Sequence, residues 1–426
     1  MKMALAISIF LIAYGFIALE KFNRVAVAMA GAAGMVLIGA SDADAAFFSH
    51  ETGIDWNVIF LLLGMMIIVS VIHKTGLFEF IAVKAIKVSK GNPKKALILL
   101  AILTAVASAI LDNVTTILLV VPMTLTITKY LKVSPIPFIL TEVFLSNIGG
   151  AATLVGDPPN IIIASKANLS FNSFLEHMAP QAILVSAVII PFLAYIFRKE
   201  LVNTAEDRGT IANLNEFSFL TDKVLLRKAI AVLIIVVSAF VTHTITHIEP
   251  SVIALLGAGL LVLISNLKPK DWAFDIEWNT LAFFAGLFVM VGGLVNVGAL
   301  QKFAEFLQNE FGDNSKVMAG IILGVSAVLS GIVDNIPYVA SMAPVITELT
   351  KNVVANDPNV LWWALAFGAD FGGNATIVGA SANVVAIGLA AAAGYKISFW
   401  NFAKYGIPVT LISILFTYPY LFLLYF

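Results

Sequence analysis

Apolar runs of about 17–25 residues, each long enough to cross a bilayer, follow one another along this chain with short polar gaps. Their pattern predicts spanning helices at roughly 3–20, 24–40, 55–73, 135–167, 179–198, 228–246, 250–266, 277–297, 361–394 and 403–425. Two further stretches, about 96–129 and about 316–350, are apolar but interrupted near the middle by Asp112-Asn113 and Asp334-Asn335. Each is long enough for two half-helices. A polar tip can re-enter a membrane from one side where protein or a water-filled cavity covers it. These stretches are therefore expected to be re-entrant hairpins. The span 135–167 contains Gly149-Gly150, Gly156-Asp157 and Pro158-Pro159, which one helix cannot accommodate. It is expected to be half-helix, exposed backbone, half-helix, and 361–394 repeats the pattern.

The interruptions recur. Ile54-Asp55-Trp56-Asn57 returns 222 residues later as Ile276-Glu277-Trp278-Asn279, and Leu111-Asp112-Asn113 as Val333-Asp334-Asn335. Pro122 is answered by Pro344. At an offset of 223, Gly149-Gly150-Ala151-Ala152-Thr153-Leu154-Val155-Gly156 returns as Gly372-Gly373-Asn374-Ala375-Thr376-Ile377-Val378-Gly379, and Asn160 as Asn383. Internal repeats with matching polar breaks point to a secondary transporter and to its binding site. The copies are unequal in their acids near the breaks: Asn147 is answered by Asp370, and Asp157 by Ala380.

Composition agrees. The chain is 60% hydrophobic and 12% charged, where a soluble domain is about a quarter charged. An all-α polytopic protein of the plasma or inner membrane is expected, with the lipid bilayer as a partner. A net charge of −1, without a basic face or basic-aromatic interleaving, argues against nucleic acid. With no cysteine there is no disulfide framework, thiolate metal site or cysteine nucleophile. The first apolar run lacks a small-residue cleavage site and is read as a retained helix.

All but five of the 25 basic residues (Lys2, Lys166, Lys302, Lys316 and Lys351) fall in segments that alternating spans place on one side. The positive-inside rule makes that side cytoplasmic. The first hairpin then enters from the cytoplasm and the second from outside, so the copies are expected to be inverted. The first is 1–198, the second 228–426, and the polar segment 199–227 is the expected cytoplasmic linker. The amphipathic segments 78–92 and 300–313 are expected in the membrane interface.

A carboxylate in mid-membrane costs about 2.5–3.5 kcal/mol on insertion scales. Asp112 and Asp334 could simply cap the second half-helices, where Pro337 suits a first turn. The same costly pair at both tips favours an added ion role. Candidate substrate- and ion-binding residues are Asp112, Asn113 and Thr115 at the first tip, and Asp334 and Asn335 at the second. The first break adds Asn147, Gly149, Gly150, Thr153, Gly156, Asp157 and Asn160. The second adds Asp370, Gly373, Asn374, Thr376, Ser381 and Asn383. Exposed carbonyls there could ligate a cation, and half-helix N-termini could hold an anion. No catalytic residue is expected, and no metal beyond Na⁺ at Asp112, Asn113, Asp334 and Asn335. His243 and His247 lack the glutamate of an HExxH zinc site. Glu142 reads equally as an ion-facing acid or a helix-packing hydrogen bond. The runs Gly31–Gly34 and Gly257–Gly259 read as close helix packing.

Segments 112–116, 149–160, 334–337 and 372–383 resemble the ion transporter superfamily, within it the arsenite-permease/NhaD group and its P-protein-like branch with a citrate transporter-like domain. The resemblance covers nearly the whole chain. It implies that the hairpin tips and the unwound segments face each other around substrate and coupling ion, H⁺ or Na⁺. It also implies a homodimer in which a scaffold flanks a moving transport region, with no organic cofactor. The superfamily's divalent-anion symporters carry Ser-Asn-Thr at each tip, where this chain has Asp-Asn. No Lys or Arg lies in the four motifs, so a dicarboxylate would meet repulsion unless H⁺ or Na⁺ neutralised the acids. Ion-coupled alternating access is therefore expected, as Na⁺/H⁺ antiport or H⁺-coupled arsenite-type export. A small organic anion of dicarboxylate or citrate type, or an uncoupled channel of the same fold, is the alternative. An intramembrane aspartic protease is remote, because Leu154 stands where the first glycine of a Gly-x-Gly-Asp motif belongs.

Overall fold

The structure, a computed structural model, describes residues 1–19, 22–202, 216–311 and 314–426. Lys21 of the basic set and most of the expected linker, with Glu206, Asp207, Arg208, Asn213 and Asn215, lie outside the described residues. Within them every regular element is helical.

The first copy comprises α1 (Lys2–Leu19), α2 (Arg24–Leu37), α3 (Ala43–Phe48), α4 (Trp56–His73), α5 (Leu77–Ser89), α6 (Pro93–Ile110), α7 (Asn113–Leu131), α8 (Ile136–Gly150), α9 (Pro158–Ala167) and α10 (Phe171–Ile196). The second repeats it: α11 (Lys223–Thr246), α12 (Pro250–Ser265), α13 (Pro269–Ala273), α14 (Trp278–Asn296), α15 (Ala299–Phe311), α16 (Ser315–Ile332), α17 (Asn335–Thr350), α18 (Val360–Gly372), α19 (Ser381–Ala392) and α20 (Phe399–Tyr425). Nine of the described helices are long and apolar enough to cross a membrane.

Small polar residues start the helices by accepting free backbone N–H groups. Asn23 caps α2, Asn92 caps α6, Ser170 caps α10, Asn314 caps α16 and Ser398 caps α20. The span expected from 179 therefore begins at Phe171, because Asn172, Glu176 and His177 lower the hydropathy of a helix that Ser170 has already started. The short helices α3 and α13 were not expected. Each ends beside the tryptophan of the next helix: Trp56 Nε1 donates to Phe47 O at 2.9 Å, and Trp278 Nε1 to Ala273 O at 3.0 Å.

The copies interlock. Helix α4 packs on α12, α14 on α2, α7 on α19, and α17 on α9. Inside each copy the first hairpin arm lies on the first half of the broken helix, α6 on α8 and α16 on α18. Nearly all of α8 and the whole of α18 are buried and form the centre of the molecule. Close approach there demands glycine: a Cβ on Gly149 would stand 2.2 Å from Ala105 O, and one on Gly372 2.5 Å from Ala327 O.

Candidate functional site

The tips of both hairpins end in an Asp-Asn pair, and the two residues do different work. Asp112 caps α7: its Oδ1 accepts Thr115 N at 2.8 Å and its Oδ2 accepts Thr115 Oγ1 at 2.5 Å. Asp334 caps α17 through Ile336 N at 3.0 Å, while its other oxygen accepts the Ser381 hydroxyl and lies 3.6 Å from Arg24 Nη1. With the carboxylates turned to the caps, the asparagines reach the middle. Asn113 Nδ2 donates to Asp157 Oδ2 at 2.8 Å and to Asn147 Oδ1 at 3.3 Å. Asn335 Nδ2 approaches the same carboxylate at 3.2 and 3.3 Å. Asp157 thus joins both tips. Its extended backbone (φ −141°, ψ 131°) precedes α9, yet its side chain makes no cap hydrogen bond.

The unwound segments are held by the same bonds in both copies. Asn160 Nδ2 donates to Gly150 O and Thr153 O at 3.4 and 3.1 Å; Asn383 Nδ2 donates to Gly373 O and Thr376 O at 2.7 and 2.8 Å. Thr153 Oγ1 donates to Ala109 O and Thr376 Oγ1 to Gly331 O, both at 2.6 Å. Ser108 and Ser330, which the sequence reading did not single out, donate across to Ser146 O and Ala369 O at 2.7 and 2.6 Å. These bonds fasten each break to the neighbouring hairpin arm. The copies then touch directly: Asn147 Nδ2 donates to Asn374 Oδ1 at 2.9 Å and to Asn383 Oδ1 at 3.0 Å.

The expected residues therefore divide. Asn113, Asn147, Asp157, Asn335, Asn374 and Asn383 form one buried hydrogen-bonded chain across the two copies. Thr115, Thr153 and Thr376 bind backbone or cap, and Asn160 holds the first unwound segment. Gly149, Gly150, Gly156 and Gly373 allow close backbone contact. Asp370 is wholly buried close to Asp157 with the Asn160 side chain beside it, but among the described residues neither of its oxygens completes a well-formed hydrogen bond. Asn160 Oδ1 and Asn374 Nδ2 are likewise unpartnered. The deep acids are thus Asp157 and Asp370, whereas Asp112 and Asp334, with which a Na⁺ was expected, lie at the caps.

Arg24 was missed as a site residue, since the sequence shows it only as one of many basic residues at a helix start. It brings the basic side chain that the four motifs lack. Glu142, at the α7–α8 contact, accepts the Thr124 hydroxyl and leaves its second oxygen unpartnered. His243 Nε2 accepts Phe171 N at 3.1 Å.

Paired hairpins and interrupted helices around buried acids and amides define an integral, multi-pass membrane transporter built from two inverted repeats, and not an enzyme. The citrate transporter (CitMHS) family model matches residues 14–368, and the chain belongs to this family, within the ion transporter superfamily. It is 50% identical over 424 residues to an uncharacterized transporter of Mycobacterium tuberculosis, covering 99% of each chain. It is 48% identical over 422 residues to the 46 kDa membrane protein of Mycobacterium leprae, covering 99% of this chain and 98% of that one. Identity to the P protein of Homo sapiens is 32% over 484 residues, covering 94% of this chain and 57% of that protein. The crystal structure of the Alcanivorax borkumensis YdaH transporter shares the fold, with a TM-score of 0.61 at 15% identity over 99% of this chain and 97% of that one.

Proposed function

We propose that the protein moves a small ion or solute by ion-coupled alternating access, with the coupling cation, H⁺ or Na⁺, carried at Asp157 and Asp370. One observation carries this reading: the buried Asp157 carboxylate is gripped by amides from both hairpin tips, and among the described residues no basic side chain is bonded to it. Amide donors orient a carboxylate but leave its charge, which a proton or a cation must balance at this depth. Asp370 and Asn160 Oδ1 offer oxygens that lack a well-formed hydrogen bond among the described residues, and Na⁺ favours such hard oxygen ligands. Occupying Asp157 would alter the bonds that tie the two tips together, which links ion binding to tip movement. Na⁺/H⁺ antiport and H⁺-coupled arsenite-type export both fit an acidic centre.

A small organic anion is the second reading. It is supported by the family's description as citrate transporters and by Arg24, whose guanidinium borders a cavity of about 330 Å³ beside Asp334 and Ser381. Proteoliposomes containing the protein should decide between them. Proton and Na⁺ fluxes are measured with Na⁺, Li⁺, K⁺, arsenite or citrate as cargo. The cation reading expects coupled flux that Asp157→Asn and Asp370→Asn each remove. If neither an H⁺ nor a Na⁺ gradient drives movement of any of these, ion coupling is rejected. Rapid flux that exchanges no proton and needs no gradient would indicate a channel.

A further inference from the structure

Arg24 opens α2, and its guanidinium is fixed on one side by α14, the helix on which α2 packs. Nη2 donates to Thr280 Oγ1 at 3.4 Å, and the group lies over the Phe283 ring, 5.4 Å from its centroid. Thr280 in turn donates to Glu277 Oε2 at 2.8 Å. On its other side the guanidinium crosses to the second hairpin tip and the second unwound segment. Nη1 donates to Ser381 Oγ at 2.6 Å and lies 3.6 Å from Asp334 Oδ2. The Ser381 hydroxyl donates to that same carboxylate oxygen. The α2–α14 pair is thereby tied to the second hairpin tip and to the start of α19.

The tie is one-sided. At the first tip, the side-chain partner of Asp112 is the neutral Thr115, and the residue that opens α12 where Arg24 opens α2 is Pro250. It is also reachable, since the Arg24 and Asp334 side chains are 35% and 12% exposed and border the 330 Å³ cavity. A small cation that enters this cavity meets Asp334 directly.

We propose that the Arg24–Asp334 pair is a releasable tie, broken when the coupling cation, before it reaches Asp157 and Asp370, neutralises Asp334 and frees the second hairpin tip from α2 and α14. The proposal rests on the cation-coupled reading above. With Asp334 charged, Coulomb attraction across a partly shielded cavity holds the guanidinium to the tip. With H⁺ or Na⁺ on Asp334 that attraction is gone, while Thr280 and Phe283 keep Arg24 with α14. The other groups that face Asp334 are Tyr14 of α1 and Asp157 of the first unwound segment, with Tyr338 of α17 beside Tyr14 and Glu277 of α14 behind Arg24. Arg24 is then a positioning residue, which acts through Asp334.

The chain has no cysteine, so Val385→Cys places a single thiol in the lining of the cavity. Its labelling rate by a polar maleimide is measured in proteoliposomes with and without Na⁺ and across a pH series. With Arg24 present, Na⁺ or acid should change the rate several-fold. Arg24→Gln should hold the rate at the cation-bound value under all conditions, Arg24→Lys should restore part of the response, and Asp334→Asn should mimic the bound cation. An Arg24→Gln protein that still responds as fully as the Arg24 protein overturns the tie and leaves cation coupling standing. Labelling that neither Na⁺ nor pH alters, even with Arg24 present, also overturns the tie, and cation coupling itself falls only if the flux assay above shows no H⁺- or Na⁺-driven movement.

Discussion

Asp157 and Ala380 hold equivalent places in the two copies, so one carboxylate alone is available to the two tip asparagines that meet there. Asp157→Asn keeps the size and removes the charge. Loss of charge-assisted hydrogen bonds worth about 1.5–3 kcal/mol each predicts a fall in coupled flux of about tenfold or more. Near-normal coupled flux in this variant would reduce Asp157 to a structural bridge. Asp370 differs: the Asn160 side chain stands beside it, but among the described residues neither oxygen completes a well-formed hydrogen bond. A buried carboxylate without partners weakens the fold, so Asp370→Asn, which writes in the residue of the first copy, should raise the melting temperature while coupling is lost. A melting temperature that falls would show that Asp370 already has a stabilising partner. Spacing revealed these acids because they break apolar runs. It could not rank them, since Asp112 is spent on a cap and Asp157 is not.

Helices are set by local signals that the chain displays openly: apolar length, a capping side chain and a glycine or proline break. The hairpin tips at Asp112 and Asp334 and the breaks after Gly150 and Gly373 lie where the sequence predicts them. What escaped notice was short or polar. Helices α3 and α13 span only 6 and 5 residues, too few to register against a spanning run. Capping also predicts how the first tip tolerates change. Asp112→Ala should cost about 1 kcal/mol and Asp112→Asn much less, because asparagine caps nearly as well; thermal unfolding in detergent reads the difference. Equal losses in the two variants would mean that the charge, not the cap, supports α7. Glycine at the crossing of α6 and α8 is more demanding. Gly149→Ala forces a methyl group to 2.2 Å from Ala105 O, and such overpacking costs about 1–3 kcal/mol or more. Gly372→Ala should behave alike at α16 and α18, and wild-type melting of either variant would contradict the close contact.

At the scale of the whole molecule, the copies complete one another. Helices α4, α7 and α9 pack on α12, α19 and α17 of the other copy, so neither half can bury its own core. Residues 1–198 or 228–426 expressed alone should fail to accumulate as a monodisperse species, whereas the two expressed together should co-purify. A stable, monodisperse single half would refute the interlocking. The sequence by itself determined the class: a membrane-spanning, all-helical, twofold-repeated transporter with paired breaks. These properties follow from hydropathy and spacing, which are read along one dimension. Only the tertiary structure decided that Asp157 lies between the tips, that Asp370 is left unpartnered and that Arg24 reaches Asp334. Each of these depends on where a cap turns its side chain and on contacts between distant segments: 44 residues separate Asn113 from Asp157, and 178 separate Asp157 from Asn335. Packing of the interlocked helices creates such contacts, and no pattern of neighbouring residues encodes them.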